Sequence, residues 1–227
     1  MSENQVTNDE LNKNVKNGLK YDIEQQPTLM FEQGEVPLTE QEWQKLSTIL
    51  ESSDYEHIIG GDANESHSVW VSRYFNDVVS PKALNEQSEE VAAIVMSPKM
   101  RDFYKQFTGT EQLCLRRCQA NRLLEGDYIG EHKDQDSSPD YFATVVFHFS
   151  PEYSGGYFQT GSDDQGAETK SYKPETRAVL VNNCSVPHQV TPVEKGERLT
   201  LACFLSTSFA PNKNSPAAFK VDKVLKH

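Results

Sequence analysis

The spacing of apolar and polar positions changes near residue 110. Before it, apolar residues recur at helical intervals; after it, they alternate as in strands. Thr39-Glu40-Gln41-Glu42 reads as a helix start, with Thr39 as the cap and Glu42 three residues on to reach back to it. Trp43, Leu46 and Leu50 then share one face. Val91, Ile94 and Val95 mark a second apolar stripe, which predicts a helix over 86–95, and a third helix is expected over 98–107. Between them, 57–75 reads as one or two strands with Gly60-Gly61 as a turn.

Past residue 110 the strand candidates are 112–122, 141–150, 156–160, 169–172, 176–182, 188–191 and 197–206. Turn residues separate them: Gly126, Ser137-Ser138-Pro139, Gly155-Gly156, Gly161-Ser162-Asp163 and Lys195-Gly196. Many short strands with such punctuation predict a sandwich or jelly roll. The expected fold is mainly β with N-terminal helices. The expected organisation is one catalytic domain: a disordered or loosely docked arm at 1–26, a helical support region at 27–110, a β core at 111–210 and a polar tail at 211–227, whose 219–225 stretch reads as a short docking helix. No internal repeat is evident.

The net charge of −12 argues against nucleic acid or an anionic membrane as partner, since both would be repelled. No apolar run is long enough to span a bilayer, and the N-terminus carries no signal-peptide pattern. The expected location is the cytoplasm. There the four cysteines read as buried thiols rather than disulfides; Cys114 and Cys118 lack the further thiols or histidines a zinc site needs.

Four residues carry candidate chemistry: His132, Asp134, His188 and Arg198. On an extended strand, i and i+2 point the same way, so His132 and Asp134 can reach one metal while Lys133 points away. His188 would come from a facing strand. Two imidazoles and one carboxylate on one side of an octahedral ion leave three open positions, the pattern of non-haem Fe(II) oxygenases. Arg198 supplies a fixed forked cation for the far carboxylate of 2-oxoglutarate, and Thr200 shares its face. A lone His-x-Asp occurs by chance in many proteins. The reading rests on His188, Arg198, the Gly155-Gly156 bend and Asn121-Arg122 together. Arg122 is weighed as an inward residue holding a substrate carboxylate, against an outward strand arginine. Tyr128, Asp136 and Asp140 are weighed as an acidic rim for an amine, against solvated loop residues. His57, His67 and His227 form no constellation; Trp43 and Trp70 read as core or interface anchors.

The stretch from Asn121 to Asp134, with Tyr153-Ser154-Gly155-Gly156 and His188-Gln189-Val190-Thr191-Pro192-Val193-Glu194-Lys195-Gly196-Glu197-Arg198, resembles the prolyl 4-hydroxylase-like superfamily of Fe(II)/2-oxoglutarate oxygenases. Its motif spacing looks most like the bacterial PKHD-type hydroxylases. The resemblance covers about residues 112–206. It implies a double-stranded β-helix of cupin-like form, Fe(II), 2-oxoglutarate and dioxygen, ascorbate as a supporting reductant, and hydroxylation as the default reaction. Leu123 stands where an aromatic is common in that family, and His148 where Leu or Tyr is common.

The resulting expectation is a dioxygenase that hydroxylates an unactivated C–H bond of a small molecule such as an amino acid or natural product. The alternatives are a protein side-chain hydroxylase of prolyl type and a non-enzymatic cupin-type metal-binding or sensing protein. A nucleic-acid demethylase of the same superfamily would carry a second arginine where this chain has Phe204, and is rejected.

Overall fold

The computed structural model describes residues 19–60, 65–77, 82–161 and 169–210. The Gly61, Ser162 and Asp163 turn positions, residues 1–18 of the arm, and the 211–227 tail with its predicted helix lie outside them.

The three expected helices form: α1 (Glu40–Glu51), α2 (Glu86–Val95) and α3 (Pro98–Thr108). Each start is chemically marked. The Thr39 hydroxyl accepts from the Glu42 amide at 3.3 Å, and the Glu42 carboxylate accepts from the Thr39 amide at 2.7 Å. Asn85 caps α2 through the Ser88 amide at 2.9 Å. Pro98 opens α3, and Gly109 closes it at φ +73°.

The strands are β1 (Thr28–Phe31), β2 (Glu56–Ile59), β3 (His67–Asn76), β4 (Lys82–Ala83), β5 (Cys114–Leu123), β6 (Tyr128–His132), β7 (Ala143–His148), β8 (Tyr153–Gly155), β9 (Phe158–Thr160), β10 (Lys170–Tyr172), β11 (Val179–Asn183), β12 (His188–Val190), β13 (Val193–Gly196) and β14 (Arg198–Ser206). They build one curled antiparallel sheet in the order β1-β11-β7-β14-β5-β3-β6-β12-β9-β10, with β2 and β4 added on β3 and a separate β8-β13 ribbon. The fold is the expected jelly roll. Five of its strands, β1, β4, β6, β8 and β13, were not anticipated. β1 pairs with β11 as an edge, β6 is a separate strand after the turn at 124–127, and β13 pairs back on β8. The region read as helical support also contributes sheet: β3 sits between β5 and β6 and pairs with both.

Alternation along β5, β7, β11 and β14 splits the apolar residues into two cores. Val145, Phe147, Val179, Val181, Leu199, Leu201 and Cys203 face outward onto the helices and meet Trp43, Leu46, Phe103 and Phe107. Trp43 contacts Phe147 and Phe149 edge-on, at centroid distances of 5.9 and 5.6 Å. Residues 19–26 dock here too: Ile23 is buried, and the Lys20 and Tyr21 amides donate to the Gln106 carbonyl. The opposite faces carry Leu123, Val146, Leu180, Ala202 and Phe204 into the barrel with Val69 and Val71 of β3. No helix among the described residues is long and apolar enough to cross a membrane.

Candidate metal and co-substrate site

β6 and β12 are antiparallel neighbours, and their register sets His132 directly opposite His188. The rings stand 4.4 Å apart between centroids. Asp134 follows two residues after His132, but not on a continuing strand. Lys133 is the last extended residue, exposed to solvent, and Asp134 begins a one-turn helix, α4 (Asp134–Ser137). The extended Lys133 between them points to solvent, so His132 and Asp134 share a face as strand periodicity expects, and the chain turns only after Asp134. The Asp134 Oδ1 atom lies 3.5 Å from His132 Nε2 and 3.7 Å from His188 Nε2. One ligand atom from each residue falls within 4.8 Å of the others, close enough to share one ion.

The outer atoms of all three are already engaged. His132 Nδ1 lies 2.9 Å from the Gly130 carbonyl, and His188 Nδ1 lies 3.0 Å from the Val186 carbonyl. A carbonyl only accepts, so each Nδ1 carries the proton and each Nε2 keeps a lone pair turned inward. The Thr144 hydroxyl donates to Asp134 Oδ2, which leaves Oδ1 for a metal. Burial disfavours the Asp134 anion, yet His188, His132 and Thr144 outweigh it and hold the carboxyl well below its usual range. Burial also pushes His188 below its ordinary value.

Strand register separates this cluster from Arg198. Thr144 pairs with Phe204, and His148 pairs with Thr200. Arg198 lies two residues beyond Thr200 on the same face of β14. Arg198 is 2% exposed, and Thr200 is fully buried. Gly156 sits beneath the arginine at φ +60°; a Cβ there would lie 3.1 Å from Arg198 Cδ and 3.0 Å from the Tyr153 ring. The Gly-Gly motif is thus the floor against which Arg198 and Tyr153 pack. Gly155 is fixed independently, because a Cβ would meet the Pro192 carbonyl at 2.3 Å. Arg198 Nε, Tyr153 Oη and His148 Nε2 are buried with no hydrogen-bond partner among the described residues. Such groups are costly unless something fills the space between them. Burial, then the nearby Arg198 cation, pushes His148 far below its usual value, so it is a neutral imidazole.

Other expected residues fall elsewhere. Arg122 points out of the barrel, 3.1 Å from Glu197 and stacked over Tyr55 at 4.4 Å from the ring centroid. Its substrate role is excluded by that orientation. Tyr128 bonds to Ser66, Asp136 is exposed and Asp140 half-buried, which makes no acidic cage. His57 stacks on Trp70. His67 was read as inert, yet its ring stands edge-on to His132 at 5.3 Å and lines the cavity above the cluster. Nothing in the sequence signals it, because the contact depends on β3 pairing with β6. Gly130 lets the segment entering β3 lie that close: a Cβ there would sit 2.2 Å from the Ser66 carbonyl.

Residues 118–206 match the 2OG-Fe(II) oxygenase superfamily model. The matched stretch runs from within β5 to the end of β14. A crystal structure of a 2OG-Fe(II) oxygenase family oxidoreductase from Burkholderia pseudomallei is 28% identical, with a TM-score of 0.76 over 84% of this chain and 90% of that one. Two more distant structures share the fold. A prolyl-4-hydroxylase from Pseudomonas putida is 15% identical, with a TM-score of 0.53 over 79% of this chain and 92% of that one. HygX from Streptomyces hygroscopicus, crystallised with nickel and 2-oxoglutarate, is 11% identical, with a TM-score of 0.58 over 90% of this chain and 89% of that one. No curated protein matches the chain at a significant level. This oxygenase is a 2-oxoglutarate-dependent dioxygenase using Fe(II). The buried donors around Arg198 and the inward lone pairs of the His-Asp-His cluster fit those two groups.

Proposed function

We propose that His132, Asp134 and His188 hold the iron, that Arg198 and Thr200 receive the far carboxylate of 2-oxoglutarate, and that the reaction hydroxylates a C–H bond of a small molecule. The observation carrying this reading is the pairing of two incomplete sites in one barrel. One is a ligand cluster whose outer atoms are satisfied and whose inner atoms are not. The other is a buried cation with orphaned polar neighbours. A dicarboxylate bound between them would complete both.

Iron with 2-oxoglutarate and dioxygen supplies the oxidising chemistry when bound. The chain's own residues do the rest. The Gly130 and Val186 carbonyls fix the imidazole tautomers. Thr144 fixes the carboxylate. The Arg198 fork orients the co-substrate, with Tyr153 and neutral His148 as additional donors at the same end. Val69, Val71, Ile129 and Phe204 line the cavity beside the metal cluster and exclude water. That cavity measures about 110 Å³, room for a small group rather than a folded surface. A cupin-type sensor has no use for a buried arginine at the far end of the barrel.

The test is an assay of the purified protein with Fe(II), 2-oxoglutarate, dioxygen and ascorbate against a panel of amino acids and small metabolites. The expected result is succinate formation coupled to a product heavier by one oxygen. Iron binding without 2-oxoglutarate binding or succinate would defeat the reading and favour the sensor.

A further inference from the structure

We propose that Phe158 is a positioning residue for the iron ligand His188: its ring, backed by Tyr172, sets the plane of the imidazole. The proposal rests on the metal assignment above and adds to it how that ligand is aimed.

A file of aromatic rings crosses the sheet through the metal cluster. His67, His132, His188, Phe158 and Tyr172 lie on β3, β6, β12, β9 and β10, which are consecutive neighbours in the sheet. Each ring meets the next, at centroid distances of 5.3, 4.4, 5.1 and 6.4 Å in that order. Register builds the file. His132 stands opposite His188, and Tyr172 stands opposite Phe158. Phe158 is diagonal to His188: it lies two residues along β9 from Thr160, the partner of His188, and so shares its face. Aromatic side chains reach across such diagonals.

The contacts differ in angle. Phe158 lies within 25° of parallel to His188, so it covers a face of the imidazole. His132 is tilted from His188 by 53°, and Tyr172 meets Phe158 edge-on at 60°. A covered face resists turning about the Cβ–Cγ bond, because turning drives the ring edge into its neighbour. The Val186 carbonyl, 3.0 Å from His188 Nδ1, holds that ring at one point, about which it can still pivot. A ligand lone pair must be aimed as well as placed. The Phe158 face supplies the missing constraint. Phe158 has little freedom of its own. It is 4% exposed, packed in the barrel core with Val190 and Val193, and Tyr172 on the last strand of the sheet closes its far side. A phenylalanine that only fills the core could be exchanged for a flexible aliphatic without turning His188; one that sets a plane could not.

The experiment uses the full chain with Co(II) as the probe metal, and compares Phe158→Leu with Phe158→Tyr. Leucine keeps apolar bulk and has no plane; tyrosine keeps the plane. Calorimetry gives the Co(II) affinity, and the visible d–d spectrum reports on the ligands. Proton NMR of the Co(II) protein follows the shifted Nδ1–H signals of the two imidazoles. Phe158→Leu should weaken Co(II) binding about three- to tenfold, as for the loss of one aromatic pair. It should also alter the d–d spectrum and move one N–H signal while the other stays. Phe158→Tyr should remain within about twofold of the parent protein, with the parent spectrum. Thermal melting of the metal-free variants reports folding, and Phe158→Met, which also lacks a plane, replaces Phe158→Leu if that variant does not fold. Unchanged affinity and spectrum in the ringless variant would overturn the proposal. So would an equal loss in Phe158→Tyr, or movement of both N–H signals together, since either would mark a general disturbance of the core. Failure of the parent protein to bind Co(II), or undiminished binding by His188→Ala, would instead overturn the metal assignment, and shows without any Phe158 variant.

Discussion

His132 and His188 are register partners on adjacent antiparallel strands, with ring centroids 4.4 Å apart and Nδ1 atoms held by separate backbone carbonyls. Two chain segments 56 positions apart in numbering meet as one face of a metal site because strand pairing leaves them no other relative position. His132→Ala or His188→Ala should therefore lower Fe(II) affinity by more than the ~10–100-fold typical of outer-sphere changes. Anaerobic calorimetry reads this directly, and unchanged affinity in both variants would remove the ligand assignment. Asp134→Gly should abolish hydroxylation, and full retained activity would remove Asp134 from the set.

Arg198 makes the second sharp prediction. Arg198→Ala would leave the far carboxylate of 2-oxoglutarate buried and unpaired, a cost of ~3–5 kcal/mol, or about 150- to 5,000-fold in affinity. Arg198→Lys should be intermediate, because it keeps the charge and loses the fork. Iron affinity should hold in both. Gly156→Ala should weaken 2-oxoglutarate in the same way, since its methyl would displace the Arg198 stem and strain a residue at φ +60°. Binding titrations of 2-oxoglutarate with iron present distinguish these outcomes.

His148 gives a pH prediction. Its folded-state value is depressed well below 6.5 by burial and by Arg198, so the unfolded chain binds its proton first on acidification. Stability contributed by the neutral ring is complete above about pH 6.5 and falls as pH drops below it, by at most ~1.4 kcal/mol per pH unit for one proton. His188 shares that sign, His132 opposes it, and Asp134, also depressed, acts only in strong acid. His148→Leu should flatten the fall between about pH 6.5 and 5 relative to the parent protein. Urea midpoints across that range measure the difference; parallel curves would show that His148 is not the group responsible.

Arg116 and Asp77 form an ion pair with both side chains fully buried, at Nη2–Oδ1 2.9 Å, and Arg116 also donates to the Ser208 carbonyl at 3.0 Å. This ties the end of β3 to the residues after β14. Asp77→Ala should destabilise the fold by ~3–5 kcal/mol, because it strands a buried guanidinium. Replacing both partners, Asp77→Leu with Arg116→Met, should recover much of that loss. Denaturant unfolding decides; a loss near zero for the single variant would mean that water reaches the site.

The first two helices were legible from their apolar stripes, and α1 also from Thr39 with Glu42; the caps at Asn85 and Gly109 emerged only in the structure. The jelly-roll class followed from strand periodicity and turn residues. His132, Asp134, His188, Arg198 and Thr200 could be singled out as candidates because motif spacing is a local property. The rest was decided by nonlocal pairing. His67 reaches His132 only because β3 pairs with β6 close to Gly130, and no residue in 57–75 encodes that pairing alone. Arg122 and Arg117 stand five positions apart on β5, so alternation puts them on opposite faces; only the assembled sheet decided that Arg117's face looks into the cavity and Arg122's out to Glu197. Asp134 follows an extended Lys133, so its place beside His132 is local, whereas the Thr144 hydroxyl that holds its carboxylate comes from β7. Local patterning determined which elements form; register and curvature across the sheet decided which side chains meet, because a one-residue slip reverses every face.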